Sequence, residues 1–234
     1  MIGSGKRKTI VVATPHHRND ELVANLGIRL AGSSVIRITT RETLSVDCLK
    51  KVAPEIIFFP HWSWIIPAEI YENFECVIFH MTDLPYGRGG SPLQNLIIRG
   101  HKETKVSAIR CVAGIDAGPV YMKESLSLGG TAEDILLRAS SLMEEMIVKM
   151  VENPSVPIPQ VGEVVEFKRR SPEDGDIAAL ENLHQVYDYI RMLDAEGYPH
   201  AFVLTPHMQL DFTQARLKGD FLEAKVKIRR RIDE

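Results

Sequence analysis

Four short, continuous apolar runs separated by helical stretches constrain this chain more than any other feature. Residues 10–14, 35–38, 55–59 and 76–79 are rich in Val, Ile and Phe and carry almost no polar alternation. Such a run must be buried on both faces, which is the condition of a strand inside a parallel sheet. Between the runs lie helical patterns. Asn19-Asp20-Glu21 opens one with Leu22, Val23, Leu26 and Leu30 on a single side, closed by Gly32, and 45–52 and 67–73 form shorter ones. Strand and helix in alternation predict an α/β fold, a Rossmann-like and mostly parallel sheet with helices on both faces.

Beyond residue 90 the pattern changes. PLQNLIIRG after Ser91 is helical and ends at Gly100. Residues 105–112 alternate through Val106, Ala108, Arg110 and Val112, and 120–126 is again extended, so the bend at 114–118 makes a hairpin-like pair. The clearest helix covers 131–151. Thr131 and Asp134 fit a T-x-x-D capping box, and Ile135, Ala139, Leu142, Met146 and Met150 recur at helical spacing, with the methionines as core filling. Prolines break the pattern over 154–159, and 170–175 is polar and loop-like. A helix over about 183–193 then precedes strands at about 201–205, 209–215 and 221–228. Residues 1–160 are expected as the main domain and 161–234 as a linker with a small C-terminal α+β appendage.

Of 234 residues, 44% are apolar and 25% charged, an ordinary composition for a buried core, and the net charge of -3 offers no general attraction for nucleic acid. The basic cluster Lys225, Lys227, Arg229, Arg230 and Arg231 reads as a solvated strand edge. Cys48, Cys76 and Cys111 are an odd set without C-x-x-C spacing, which suits a reducing compartment. The basic N-terminal start is followed by an apolar run too short for a signal peptide, and no stretch is long enough to span a membrane. A cytoplasmic protein is expected.

Polar and aromatic residues gather at the ends of the expected strands, where open α/β sheets bind ligands. The first strand ends at Thr14-Pro15-His16-His17, the third at His61-Trp62-Ser63-Trp64 and the fourth at His80, while Asp116 lies in the later bend. Both tryptophans share one loop, as a flat aromatic cofactor or a packed loop cap would each require. His16, His17, His61 and His80 could share an edge, but no pair has helical i, i+4 spacing and no acidic ligand accompanies them, so no metal is expected. Gly87-Arg88-Gly89-Gly90 is not a phosphate-loop motif, although Gly89-Gly90 before Pro92 could present N–H groups to an anion.

From Phe79 the chain reads FHMTDLPYGRGGSPLQNLIIRGHKETKVSAIRCVAGIDAGPVY. His80 followed by Leu84-Pro85, Arg88-Gly89, Ser91-Pro92, Gly100, Glu103-Thr104 and Asp116-x-Gly118 resembles the formyltetrahydrofolate-dependent formyltransferases. That family includes enzymes acting on methionyl-tRNA, nucleotide-sugars and glycinamide ribonucleotide. His80 and Asp116 stand 36 positions apart (116 − 80), as the family's pattern requires. A looser likeness extends to Gly197-Tyr198-Pro199.

The resemblance implies 10-formyltetrahydrofolate as co-substrate. It gives His80 the stabilisation of an oxyanion or the shuttling of a proton, and Asp116 the orientation of His80. The Trp62-Ser63-Trp64-Ile65 loop and Ala113, Gly114 and Ile115 fall along the family's folate pocket, and Thr14, His16, His61, Arg88 and Gly89 are expected at the acceptor substrate. One departure stands out. The family has Asn two residues before its His, where this chain has Ile78, which cannot donate a hydrogen bond; His61 and Asn95 are candidate replacements.

HWSWIIP, FHMTDLP and YIRMLDAEGYP resemble a branch near the nucleotide-sugar N-formyltransferases of pseudaminic-acid-type pathways and the formylation domains of peptide synthetases. The small appendage points the same way, to a nucleotide-linked amino-sugar as acceptor, no nucleic acid or membrane partner, and homodimers as in related sugar enzymes. The alternatives are a methionyl-tRNA formyltransferase-like enzyme, a formyltetrahydrofolate hydrolase, and a catalytically silent folate- or nucleotide-binding homologue.

Overall fold

The computed structural model describes residues 8–231; the basic start considered above as a leader lies mostly outside them. In chain order the elements are β1 (Lys8–Ala13), α1 (Asp20–Arg29), β2 (Ser33–Ile38), α2 (Val46–Val52), β3 (Ile56–Phe59), α3 (Ala68–Tyr71) and β4 (Cys76–His80). There follow β5 (Tyr86–Gly89), α4 (Pro92–Ile98), β6 (Glu103–Arg110), β7 (Val120–Ser127), α5 (Ala132–Glu152) and β8 (Val165–Phe167). The chain closes with α6 (Leu183–Met192), β9 (Ala201–Leu204), β10 (Met208–Lys218) and β11 (Phe221–Arg230).

These elements pack as two units interleaved in sequence. Of the described residues, 8–88, 105–125 and 137–165 form the first, and 89–104, 126–136 and 166–231 the second. A division at 160/161 expects contiguous blocks, whereas here two internal segments pack with the C-terminal residues.

The main sheet runs β2-β1-β3-β4-β6-β7. Its first four strands are parallel and β6 is antiparallel to β4, with Val77 opposite Arg110 and His80 opposite Ser107. The apolar runs are buried as their composition demands: Ile10 to Ala13 and Ile57 to Phe59 are at most 1% exposed. Each large side chain so buried stabilises the fold by about 1.5–3 kcal/mol. The third helix is shorter than its pattern suggests. The N–H groups of Asn73 and Phe74 both close on the Ile70 carbonyl, at 3.1 and 2.9 Å, and the winding stops after one turn. On α5, Met143, Met146 and Met150 are core residues.

In the second unit the reciprocal cap at the start of α5 is formed: Asp134 N donates to Thr131 Oγ1 at 3.2 Å and Thr131 N to Asp134 Oδ2 at 2.9 Å. A three-stranded antiparallel sheet, β11-β10-β9, carries a bulge between Thr213 and Arg216. The buried Arg191 on α6 ties 128–130 to this unit by donating to the carbonyls of Leu128 (2.6 Å) and Gly130 (3.0 Å). The basic residues of β11 are exposed, but Arg229 pairs with the buried Asp211 at 2.7 Å and so does more than solvate an edge. No helix among the described residues is long and apolar enough to cross a membrane.

Candidate active site

His80 ends β4 and is only 8% exposed. Its Nε2 lies 2.7 Å from the Gly87 carbonyl oxygen, and since a carbonyl only accepts, Nε2 is the donor. Nδ1 faces Asp116 Oδ2 at 3.4 Å. The two residues that the family motif pairs across 36 positions (116 − 80) are thus brought together, His80 buried and Asp116 partly so. Asp116 sits in a left-handed turn at φ 49, a region that Asp enters more readily than most residues. Gly118 lets that turn press against β6: a Cβ there would lie 1.8 Å from the Arg110 carbonyl oxygen.

Around this pair are two loops of unlike character. After β3, His61 adopts φ 52 and leads into Trp62, whose ring meets Phe59 and Trp64 edge-on at 5.8 and 4.8 Å. Trp64 (39%) and Ile65 (88%) are exposed, as is Ile115 (71%) beside Ala113 and Gly114 in the other loop. Ser63 Oγ is 3.3 Å from His16 Nε2, so the ends of β1 and β3 meet as expected. Trp62 Nε1 and His61 Nε2 are buried without a hydrogen-bond partner.

His61 belongs to a buried polar network. Ser140 Oγ donates to Asn19 Oδ1 at 2.6 Å, which turns the amide nitrogen towards Thr14 Oγ1 (2.6 Å) and His61 Nδ1 (3.4 Å). An amide nitrogen only donates, so His61 Nδ1 accepts and Nε2 carries the hydrogen. Burial, with smaller contributions from the nearby Arg18 and His16, pushes His61 down to about 3, leaving it a neutral donor.

Several expected ligand contacts have other partners. Thr14 is fully buried, its hydroxyl held by Asn19. The Arg88 guanidinium donates to Gln160 Oε1 from Nε (3.2 Å) and Nη2 (2.8 Å). Gly89, in the second unit, lies against the Phe167 backbone, where a Cβ would come within 2.6 Å of its carbonyl oxygen, and Gly90 N donates to that same oxygen at 3.1 Å. These glycines serve close backbone approach, not an open anion cradle.

Of the two candidates to replace the missing Asn, Asn95 is fully engaged: its amide donates to the carbonyls of Gly90, Ser91 and Lys168 at 3.0–3.1 Å. Ile78 packs against Leu84, Ile109 and Val120. Cysteine chemistry is disfavoured, since burial raises both the Cys76 thiol and that of Cys111, the latter to about 11. Among the described residues no group of three His, Cys, Asp or Glu could hold a metal ion. Gln160, which sequence inspection passes over, donates through Nε2 to the carbonyls of Asp116 (2.8 Å) and Gly118 (2.7 Å). No local signal marks it; it stands among prolines 44 positions (160 − 116) from the residue it holds.

Residues 10–151 match the family model described as "Formyl transferase", and 172–229 that described as "Methionyl-tRNA formyltransferase, C-terminal domain". A methionyl-tRNA formyltransferase of Rickettsia felis is 31% identical over 160 residues, 65% of this chain and 53% of that protein. The chain therefore spans about half the length of the curated relatives it matches. A solved structure of methionyl-tRNA formyltransferase from Clostridium thermocellum is 46% identical, with TM-score 0.93 over 95% of this chain and 99% of that one. A 4-N formyltransferase from Francisella tularensis, at 16% identity and TM-score 0.67 over 86% of this chain and 94% of that one, is alike in fold alone.

Proposed function

The chain belongs to the formyl transferase family, and from that premise we propose that it moves a formyl group from 10-formyltetrahydrofolate to a primary amine. The observation that carries this reading is the pairing of the buried His80 with the partly buried Asp116, Nδ1 to carboxylate at 3.4 Å. Amine attack on a formyl carbonyl places negative charge on its oxygen, and a pre-positioned N–H stabilises that charge strongly in a water-poor site. We assign this donor to His80 Nε2. The neutral Gly87 carbonyl holds the N–H until the charged oxygen, a stronger acceptor, displaces it. Because only the reacting state carries that charge, the exchange favours the transition state over bound substrate. Asp116 fixes the ring's orientation from the Nδ1 side, and the proton that the attacking amine releases passes to the departing folate nitrogen.

The loops at 62–65 and 113–115 suit a flat, partly apolar folate ring. Trp64, Ile65 and Ile115 offer exposed apolar surface, and Trp62 Nε1 has a hydrogen in need of an acceptor. His16 and His61 are assigned to the acceptor side, with the neutral His61 Nε2 in place of the donor lost at Ile78. Thr14, Arg88 and Gly89 act through the network and backbone contacts that engage them. In this reading the chemistry is carried within 1–160, although 89–104 and 126–136 of that stretch pack with the unit that holds the C-terminal appendage.

For the acceptor we favour the amine of methionyl-tRNA over a nucleotide-linked amino-sugar. Two observations support it: 46% identity to a methionyl-tRNA formyltransferase matched over 99% of its length, and the match of 172–229 to that enzyme's C-terminal domain. A short appendage carries little weight against tRNA when a relative so named has the same extent. The likeness to a 4-N formyltransferase at 16% identity reaches no further than the fold.

The test supplies 10-formyltetrahydrofolate with either methionyl-tRNA or a panel of UDP-linked 4-amino-sugars and follows products by mass spectrometry. Formylation of the methionyl amine, abolished in His80→Ala and Asp116→Ala, is expected. Formylation of a sugar amine alone would move the assignment to that acceptor, and folate consumption with no acceptor would mark a hydrolase. Folate binding without turnover, unchanged in His80→Ala, would mark a silent binding protein.

A further inference from the structure

We propose that Gln160 is a positioning residue that sets the placement of Asp116 against His80, by tying the turn carrying Asp116 to the strand that holds the other side of the His80 ring. The inference rests on the formyl-transfer reading above and concerns the same site. Its basis is a run of hydrogen bonds closed by the 3.4 Å contact between Asp116 Oδ2 and His80 Nδ1. His80 Nε2 donates to Gly87 O; the next residue, Arg88, donates twice to Gln160 Oε1; Gln160 Nε2 donates to Asp116 O and Gly118 O; and the Asp116 carboxylate returns to His80 Nδ1.

The Gln160 amide has two hydrogens and two acceptor sites, and all four are used. Its orientation is also unambiguous: Arg88 can only donate and the two carbonyls can only accept, so a flipped amide would face mismatched partners on both sides. Two residues earlier, Ile158 is pinned to the start of β7 by paired bonds with Val120, N to O at 2.9 Å and O from N at 2.7 Å. Gln160 therefore works from an anchored backbone.

What it restrains needs restraint. Asp116 sits at φ 49, a conformation that costs a non-glycine residue free energy and persists only where its surroundings over-determine it. Both carbonyls held by Gln160 belong to this turn, one of them to Asp116 itself. Without those bonds the turn can relax, and the carboxylate moves with it.

The experiment compares wild type, Gln160→Glu, Asp116→Asn and the double variant. Glutamate keeps the length and the Arg88 pairing but offers no donor to the two carbonyls. We expect kcat per folate-binding site to fall about ten- to a hundredfold in Gln160→Glu, as for other displaced catalytic groups. In the Asp116→Asn background the same change should have no further effect, because it acts through Asp116. Independent, additive losses would overturn the proposal. Gln160→Met serves as a second variant should glutamate impair folding.

A second readout needs no turnover. The ring nitrogen resonances of His80, followed by NMR against pH, should shift in Gln160→Glu in the direction seen for Asp116→Asn; unmoved resonances would overturn the positioning role. If wild type transfers no formyl group to any acceptor, the functional reading fails, while the His80 resonances still decide the role of Gln160.

Discussion

Replacing Gly118 by alanine subjects the placement of the Asp116 turn to a steric test whose size follows from its distance to β6. The added Cβ would lie 1.8 Å from the Arg110 carbonyl oxygen and 2.9 Å from its carbon, both backbone atoms of a central strand. An ordinary contact begins near 3.4 Å, so the turn must withdraw by about 3.4 − 1.8 = 1.6 Å, since β6 is held by β4 on one side. That movement breaks the 2.8 and 2.7 Å bonds from Gln160, worth about 1 kcal/mol each. Overpacking adds roughly 1–3 kcal/mol. The expected loss of stability is about 3–5 kcal/mol, which for a chain of this size lowers Tm by roughly 6–20 °C. Activity of the folded molecules should fall as well, because displacing a catalytic constellation by about 1 Å can cost on the order of a hundredfold. Differential scanning calorimetry and formyl-transfer kinetics on the folded fraction measure the two effects. Gly32→Ala is the control: nothing lies within 4 Å of its added Cβ, and it should leave both quantities unchanged. A Gly118→Ala protein with wild-type Tm and kcat would refute the close approach and the dependence of the site upon it.

Two further perturbations address the buried polar groups. His61 is held neutral by burial at about 3, against about 6.5 when unfolded, so the unfolded chain binds the extra proton below pH 6.5. Stability from this residue is therefore full above pH 6.5 and lost as pH falls towards 3, by about 2 kcal/mol between pH 7 and 5; urea midpoints should fall in wild type, and a His61→Phe variant that kept the full slope would exclude His61 as its source. Asn95→Ala removes bonds to three carbonyls and should lower stability by about 2 kcal/mol without altering kcat per folded molecule. A selective loss of kcat at unchanged stability would restore Asn95 as a donor to the reacting oxygen.

Much of the fold was legible because its causes are local. The apolar runs of β1, β3 and β4 announce strands buried on both faces, and burial there requires no knowledge of the neighbours. The Thr131–Asp134 cap closes over three residues, and the methionine spacing on α5 needs only the helical period. The pairing of His80 with Asp116 was legible only through the resemblance to the formyltransferase motif. By contrast, Tyr-Gly-Arg-Gly of β5 has neither alternation nor β-branching, and it forms a strand only because other backbone comes alongside.

The partners of single polar groups were decided by tertiary structure alone. Thr14, Arg88 and Asn95 all look available in sequence, yet Asn19, Gln160 and three carbonyls engage them. Gln160 carries no local signal in sequence, yet it holds the turn of the candidate catalytic Asp116. The physical reason is that composition and period determine whether a residue is buried, whereas a hydrogen bond depends on distances of tenths of an ångström, here between groups as much as 73 residues apart. Those distances exist only once the chain has closed on itself.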